Sequence, residues 1–302
     1  GSFSISINMN ITFIGNWRIN EGLTEATVIP HLKILSGMPI VNVVIFCTIE
    51  RGNNFVIERD LGIPKIIHVP INSISHFNSF VGSAFDFISF RKEILDIAIK
   101  YNSELLICRG SPAGSIGYYV HKKADIPFYV ESFEPHAEYM LESRVWSKYN
   151  PKYILELYWE EKQKKYAEGL MPVANNYRQK LVLEGVDSSK IDVIPCCVEL
   201  EKFMYKKDKR IVYRKKLNIR DEVTGIYVGK FGGIYYNEEA FESFRIAFEY
   251  FNNNFKLIIL TPDDQSRIRN RLLDIGLNKE NFIVDSVQHS EVPSYLSAAD
   301  FA

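Results

Sequence analysis

Gly225-Ile226-Tyr227-Val228-Gly229-Lys230-Phe231-Gly232-Gly233-Ile234-Tyr235-Tyr236-Asn237 is the stretch around which the rest of the chain is arranged. Its first four residues form a short apolar run that suits a buried strand. The chain then turns through three glycines and one lysine, and Glu238-Glu239-Ala240-Phe241-Glu242 follows as the acidic first turn of a helix. A strand, a glycine-rich turn and a helix N-terminus together make an anion site. Backbone N–H groups and the positive end of the helix dipole point at one place. Lys230 adds a formal charge there. A plain tight turn uses the same residue types, so the surrounding chain has to decide between the two.

Downstream, helical patterns over 239–251, 265–275 and 292–298 alternate with apolar runs over 256–260 and 281–284. Upstream lies a longer series of the same kind. Apolar runs that suit strands occupy 10–15, 41–46, 65–69, 104–109, 126–131, 169–174 and 190–195. Between them, Ala26, Ile29, Leu32 and Leu35 recur at helical spacing, and helices are expected over 87–100, 112–123, 153–167 and 176–184. The helix over 153–167 reads as long, charged and amphipathic. Such alternation argues for parallel sheets covered on both faces. The basic run Lys206-Lys207-Asp208-Lys209-Arg210 reads as a solvated linker between the two series. The expected fold is therefore α/β, with two Rossmann-like doubly wound domains over 1–204 and 205–302. The second holds fewer strands than such a domain usually has, so it reads as incomplete.

The totals exclude several classes. A chain of 302 residues can bury two cores. Its net charge of −1 offers no electrostatic case for binding nucleic acid. No apolar run approaches the roughly 20 residues of a membrane span, and no secretory signal opens the chain. Cys47, Cys108, Cys196 and Cys197 include no C-x-x-C pair and read as reduced thiols. The six histidines lack ligand spacing, so no protein-built metal site is expected.

Doubly wound domains bind ligands beyond the carboxyl ends of their strands, and two in tandem make a cleft between facing strand ends. In the first domain those ends bring forward Arg18, Glu21 and Gly22, then 109–112, then 131–136. In the second they bring forward 229–233, 261–264 and 286–289. Gly15-Asn16-Trp17 lacks the G-x-G-x-x-G spacing of a dinucleotide site, and G-K-[ST] is absent, which disfavours an NAD enzyme and a Walker loop. His136 follows a strand in a loop, with Glu131, Glu134 and Glu138 close in sequence. A carboxylate beside an imidazole raises its pKa and orients it, and such a His could hold or deprotonate a sugar hydroxyl. A surface His at a helix start is the plain alternative, and Glu131 and Glu134 could equally cap that helix.

Several segments together resemble one family. Ser189-Lys190-Ile191-Asp192-Val193-Ile194-Pro195-Cys196-Cys197-Val198-Glu199-Leu200-Glu201-Lys202-Phe203 is similar to the K-I-x-V-I-P-N-G-V-D-x-x-x-F segment of GT-B glycosyltransferases of the family 4 type. Tyr227-Val228-Gly229-Lys230-Phe231 resembles that family's V-G-R-L strand and turn. Residues 256–260 resemble its next strand, and Glu291-Val292-Pro293-Ser294-Tyr295-Leu296-Ser297-Ala298-Ala299-Asp300 its E-V-P-x-Y-L-x-x-A-D helix. Order and spacing agree across about 110 residues.

The resemblance implies a GT-B fold with two domains facing across a cleft, and transfer of a sugar from a nucleotide-diphosphate donor to an acceptor hydroxyl with retention. No cofactor and no metal are implied, because helix dipoles and basic side chains neutralise the leaving diphosphate. Lys230 falls on the family's diphosphate-binding Arg, beside the amides of Gly232 and Gly233. Gly22 falls near its glycine-rich loop for the sugar-donor phosphates. His136 falls near its catalytic-loop His, with Glu134 on the acceptor side. The implied partners are a nucleotide sugar and a glycan, lipid-linked or small-molecule acceptor. The implied setting is bacterial surface polysaccharide assembly in the cytoplasm, with peripheral association at the inner face of the membrane left open. Three departures stand out. Tyr235 replaces a family Lys, Cys196-Cys197 replace Asn-Gly, and the family's E-x7-E carboxylates would fall beyond Ala302, so the chain as given is expected to be a poor catalyst. A nucleotide-sugar 2-epimerase of the same fold and a non-catalytic sugar-binding relative remain as alternatives.

Overall fold

The computed structural model describes residues 8–51, 55–73, 80–233, 235–252 and 254–302. The chain divides into two compact units, one drawn from Gly1–Glu142 and Trp146–Cys197, the other from Val198–Ala302 with Ser143–Val145.

In the first unit the order is β1 (Met9–Ile14), α1 (Ile29–Gly37), β2 (Val41–Glu50), β3 (Ile66–Asn72), α2 (Phe80–Lys100), β4 (Leu105–Arg109), α3 (Gly110–Ala124), β5 (Phe128–Phe133), α4 (His136–Glu142), α5 (Pro151–Tyr166), β6 (Gly169–Pro172) and α6 (Asn175–Leu183). The six strands pair in parallel in the order β3-β2-β1-β4-β5-β6. That order reverses between β1 and β4, as in a doubly wound sheet. The apolar side chains form one core on each face. Ile14, Ile45, Leu106, Phe128 and Val130 lie on one side, and Phe13, Val44, Phe46 and Leu32 on the other.

Local chemistry explains the irregular pieces. A π-helical turn, Thr24–Val28, precedes α1. Pro30 has no N–H to give the ordinary helical bond, and the amide of Ile29 instead reaches Thr24 O. On α3, Gly114 and Gly117 let the helix approach closely. A Cβ on Gly117 would come 2.4 Å from Cys108 Sγ, and one on Gly114 2.0 Å from Gln163 Oε1. Asn150 caps α5 by accepting from the Lys152 amide at 2.9 Å. All four cysteines are free, with Cys47 and Cys108 buried and Cys196 and Cys197 exposed.

Three sequence expectations change. Residues 190–195 run beside β6 without becoming a full strand. Asp192 N and Ile194 N bond to Leu170 O and Pro172 O, but Pro172 and Pro195 each lack a donor and the ladder stops there. The amphipathic reading of α5 inverts, because its buried residues are Glu160 and Gln163 while Ile154, Leu155 and Tyr158 face solvent. The basic run is not a linker, since its residues 207–210 open a helix of the second unit.

That unit runs α7 (Leu200–Phe203), α8 (Lys207–Lys216), β7 (Val223–Val228), α9 (Glu238–Phe251), β8 (Phe255–Leu260), α10 (Gln265–Asp274), β9 (Phe282–Asp285) and α11 (Val292–Ala298). The strands pair in parallel as β7-β8-β9. On the other edge of β7, Phe301 makes a parallel bridge to Gly225, and Ile226 N donates to Phe301 O at 3.0 Å. Thus β7 has a partner on each side, and the topological switch point falls at its carboxyl end. Two cores again cover the two faces, one around Phe241, Phe255 and Leu272, the other around Ile226, Ile258 and Tyr295.

Candidate functional site

The turn over 229–233 stands at that switch point. Gly229 N donates to Leu260 O at 3.0 Å and prolongs the β7–β8 ladder by one step. Tyr227 stacks on Phe231 at 4.6 Å, and its hydroxyl donates to Lys230 O at 2.6 Å. These contacts hold the backbone of Lys230 while its side chain stays exposed. Gly232 and Gly233 have φ values of 79° and 65°, a left-handed turn that side chains with a Cβ resist. Tyr235 N closes the turn on Gly232 O at 3.0 Å. Among the described residues no hydrogen bond uses the amides of Gly232 and Gly233. The turn leads into α9, whose N-cap Asn237 makes no side-chain cap bond.

One contact was not legible in sequence. Phe231 N donates to Asp263 Oδ2 at 2.7 Å. Asp263 follows β8, and its carboxylate sits on an amide of the same turn that sequence pattern marks for an anion. Asp264 beside it caps α10 through the amides of Ser266 and Arg267. Tyr235, at the position of the family's second cation, is half exposed.

In the first unit Gly22 lies exposed between β1 and the π turn, with no atom within 4 Å of where a Cβ would stand. Arg18 approaches Glu50 at 3.7 Å. Glu50 is buried at the end of β2 and accepts from the Ile19 amide and from the Thr48 hydroxyl, at 2.9 and 2.7 Å. His68 Nδ1 accepts from the Arg59 amide at 3.2 Å, so its Nε2–H donates to Thr48 Oγ1 at 2.9 Å. Burial pushes the His68 pKa down, against the pull of Glu50. This Thr–His–Glu chain is not a nucleophile with its base. The imidazole gives its proton to the hydroxyl, and the hydroxyl gives its own to the carboxylate.

His136 opens α4, so it is a helix-start residue and not a loop residue. Its Nδ1 lies 3.7 Å from Glu134 Oε1, and its ring meets Trp146 edge-on at 5.7 Å. Glu134 raises the imidazole pKa, burial opposes it, and Glu156 and Glu160 reinforce the rise. Glu160 Oε1 accepts from the Ala137 amide at 3.0 Å and so caps α4 from across the layer. Burial pushes the Glu160 carboxyl up to about 7. Glu156, also raised by burial, has an oxygen without a hydrogen-bond partner. Sequence reading missed both carboxylates. The available signal was that 156, 160 and 163 share one face of α5. It also missed His31, whose Nδ1 lies 2.6 Å from Glu131 Oε2, with Arg109 Nη1 on the other oxygen at 3.1 Å. No spacing could have signalled that pair.

The structure therefore keeps Lys230, Gly232 and Gly233 together at one strand end of the second unit. It places Glu134 beside His136 in the first, with Gly22 at a different strand end of that unit. Among the described residues no group of three or more His, Cys, Asp or Glu could hold a metal ion, and no helix is long and apolar enough to cross a membrane.

No family model and no curated protein sequence matches the chain. Solved structures do. Sucrose-phosphate synthase from Thermosynechococcus elongatus shares 14% identity at a TM-score of 0.73, over 97% of this chain and 74% of that one. Anabaena HepE in complex with UDP and glucose shares 10% identity at 0.66, over 97% and 73%. The UDP-GlcNAc 2-epimerase of Neisseria meningitidis, bound to UDP-GlcNAc, shares 12% at 0.59, over 95% and 74%. The chain has the GT-B fold. At such identities the likeness speaks for architecture alone, and the two doubly wound units account for it.

Proposed function

We propose that the chain belongs to a glycosyltransferase that moves a sugar from a nucleotide-diphosphate donor to an acceptor hydroxyl. The observation that carries this reading is the turn over 229–233. It lies at the topological switch point of the second sheet, with two left-handed glycines, an exposed Lys230 and the uncapped start of α9. A diphosphate needs backbone amides, a helix N-terminus and a cation in one place. In this reading Lys230, Gly232 and Gly233 of the second unit hold the diphosphate, Gly22 is the first unit's candidate for sugar-donor binding, and His136 and Glu134 are its candidates for the reacting sugar and the acceptor. No cofactor and no metal is assigned. Retention follows from the family resemblance alone, and so does a role in surface polysaccharide synthesis at the inner face of the membrane.

Thermal-shift screening of the chain against UDP-glucose, UDP-N-acetylglucosamine, GDP-mannose and ADP-glucose tests the reading. A selective rise in melting temperature is expected, because a ligand that binds only the folded state stabilises it by mass action. Lys230→Ala should weaken binding of that nucleotide sugar about tenfold or more, as loss of a charge-assisted contact worth about 1.5–3 kcal/mol implies. Unchanged affinity would remove Lys230 from the site.

The second reading is a 2-epimerase, favoured by the likeness to the Neisseria enzyme and to a putative UDP-N-acetylglucosamine 2-epimerase from Listeria monocytogenes at a TM-score of 0.59. Incubation with UDP-N-acetylglucosamine alone separates the two. Epimerised sugar or a glycal would displace the transferase reading.

A further inference from the structure

The amino ends of β7, β8 and β9 border a groove of about 970 Å³, at the end of the second sheet opposite the glycine turn. That volume suits a small organic ligand. The length of β7 puts about 20 Å between the two ends, at about 3.3 Å for each residue. Helix α8 ends beside the groove. Arg214, in its last turn, is fully engaged, donating to Arg220 O and Glu222 O at 2.8 Å each and to Ala298 O at 3.1 Å. Glu222 is committed too, since its Oε2 accepts from the Arg220 amide at 2.6 Å. Lys215, Arg220 and Lys256 also line the groove, and among the described residues no hydrogen bond or ion pair engages their side chains. Lys215 answers the dipole at the C-terminus of α8. Arg220 follows that helix and Lys256 stands on β8, so the dipole accounts for neither.

The groove also holds acceptors. Asn281, just before β9, is 8% exposed. Its Nδ2 donates to Phe255 O at 3.4 Å, and its Oδ1 has no hydrogen-bond partner. A buried amide oxygen left unpaired is costly, and a hydroxyl seated beside it would supply the missing hydrogen. Glu280 precedes it in the lining, exposed and in no ion pair with the three cations. A simple anion would use the cations and be repelled by Glu280. A ligand with a doubly charged end and a hydroxylic end uses both sets of groups. Phosphate fits the guanidinium fork of Arg220 and the point charge of Lys256. Sugar hydroxyls donate to a carboxylate and an amide oxygen. A nucleotide would call for a ring to stack on, and the aromatic side chain of the lining, Phe255, is buried in the core.

We propose that this groove binds a sugar phosphate, at a site separate from the turn over 229–233. Arg220 and Lys256 hold the phosphate monoester, Lys215 adds charge at the end of α8, and Glu280 and Asn281 accept from the sugar hydroxyls. The site lies wholly within the second unit. It goes beyond the transferase reading, and neither depends on the other.

Calorimetric titration of the full chain with glucose-1-phosphate, glucose-6-phosphate, inorganic phosphate and glucose tests this. At least one of the two sugar phosphates should bind with a Kd of about 1 mM or tighter, about tenfold or more below that of inorganic phosphate, and glucose should bind more weakly still. Arg220→Ala and Lys256→Met should each weaken that binding about tenfold, as loss of a charge-assisted contact implies. Glu280→Ala should narrow the preference over inorganic phosphate, because it removes both an acceptor for a hydroxyl and a charge that repels the free anion. Lys230→Ala, in the glycine turn, should leave the affinity for the sugar phosphate as it was. Absence of binding by both sugar phosphates overturns the proposal. Equal affinity for inorganic phosphate also overturns it, since the groove would then hold a plain anion. Loss of binding in Lys230→Ala with Arg220→Ala unaffected would put the ligand in the turn and overturn it as well. If Lys256→Met fails to fold, Lys215→Ala on the exposed last turn of α8 replaces it, with weakening of about threefold expected from one screened charge. Nucleotide-sugar binding is read separately in the thermal-shift panel, so failure here leaves the transferase reading standing.

Discussion

Asp263 places a carboxylate against the Phe231 amide, 2.7 Å away, within the turn proposed to hold a diphosphate. Two anions near one nest of amides compete for the same donors and repel each other. The first turn of α9 adds Glu238 and Glu239 to the same side of the balance, although Arg271 pairs with Glu238. Asp263→Asn removes the charge and keeps an oxygen for the amide. It should tighten binding of UDP roughly two- to fivefold, the equivalent of about 0.3–1 kcal/mol for one charge at a helix terminus. Calorimetric titration with UDP measures this directly. Weaker binding would show that Asp263 serves to shape the turn and not to oppose the anion.

The α4–α5 pair shows how two elements share a titration. Glu160 on α5 caps α4 at the Ala137 amide, and burial pushes its carboxyl from an ordinary 4.5 up to about 7. The folded state therefore keeps this proton to a higher pH than the unfolded chain does. The associated stability is fully present below about 4.5 and is lost as pH rises through about 7. His136, raised chiefly by Glu134, has the same sign, since its stabilisation also fades as pH climbs past its elevated pKa. The first unit should lose up to about 3 kcal/mol across that window, at about 1.4 kcal/mol for each tenfold change in acidity. Glu160→Gln keeps an oxygen for Ala137 and removes the proton, so melting temperature should fall less steeply with pH. A variant that melts with the wild-type slope would assign the dependence to other groups.

For the second unit as a whole, Asp300 acts as a junction. Its oxygens take Arg210 Nη2 at 2.6 Å and the Thr224 amide at 2.8 Å, with Arg214 at 3.6 Å. Arg210 and Arg214 also reach the carbonyls at the end of α11, including Ala299 O at 2.8 Å and Ala298 O at 3.1 Å. One carboxylate thus ties α8 and α11 to the start of β7. Asp300→Ala leaves the Thr224 amide and part of two guanidiniums without their acceptor, at a cost of about 1–3 kcal/mol. Urea unfolding should show the loss. Unchanged stability would mean that the carbonyls alone hold the arginines.

Alternating apolar runs and helical spacings make the two doubly wound series legible, and with them the strand ends where a ligand would bind. The periods of strand and helix are local properties, written within a dozen residues. The glycine turn beside Lys230 is legible for the same reason: strand, glycines and acidic helix start are contiguous. The basic run over 206–210 reads as a linker because the Arg210 guanidinium finds its partners at 297–300, far along the chain. Asp263 on Phe231, Glu160 on Ala137 and His31 on Glu131 are invisible in sequence. Each joins elements that are separate in the chain and neighbours in space. Such meetings depend on strand order and on how deeply each helix seats on its sheet, as the small residues of α3 illustrate. No local period encodes either quantity. Local pattern was therefore enough for the architecture and for the glycine-rich turn at one strand end. Packing between distant elements settled which charges surround that turn, and which carboxylate the His31 imidazole meets in the first unit.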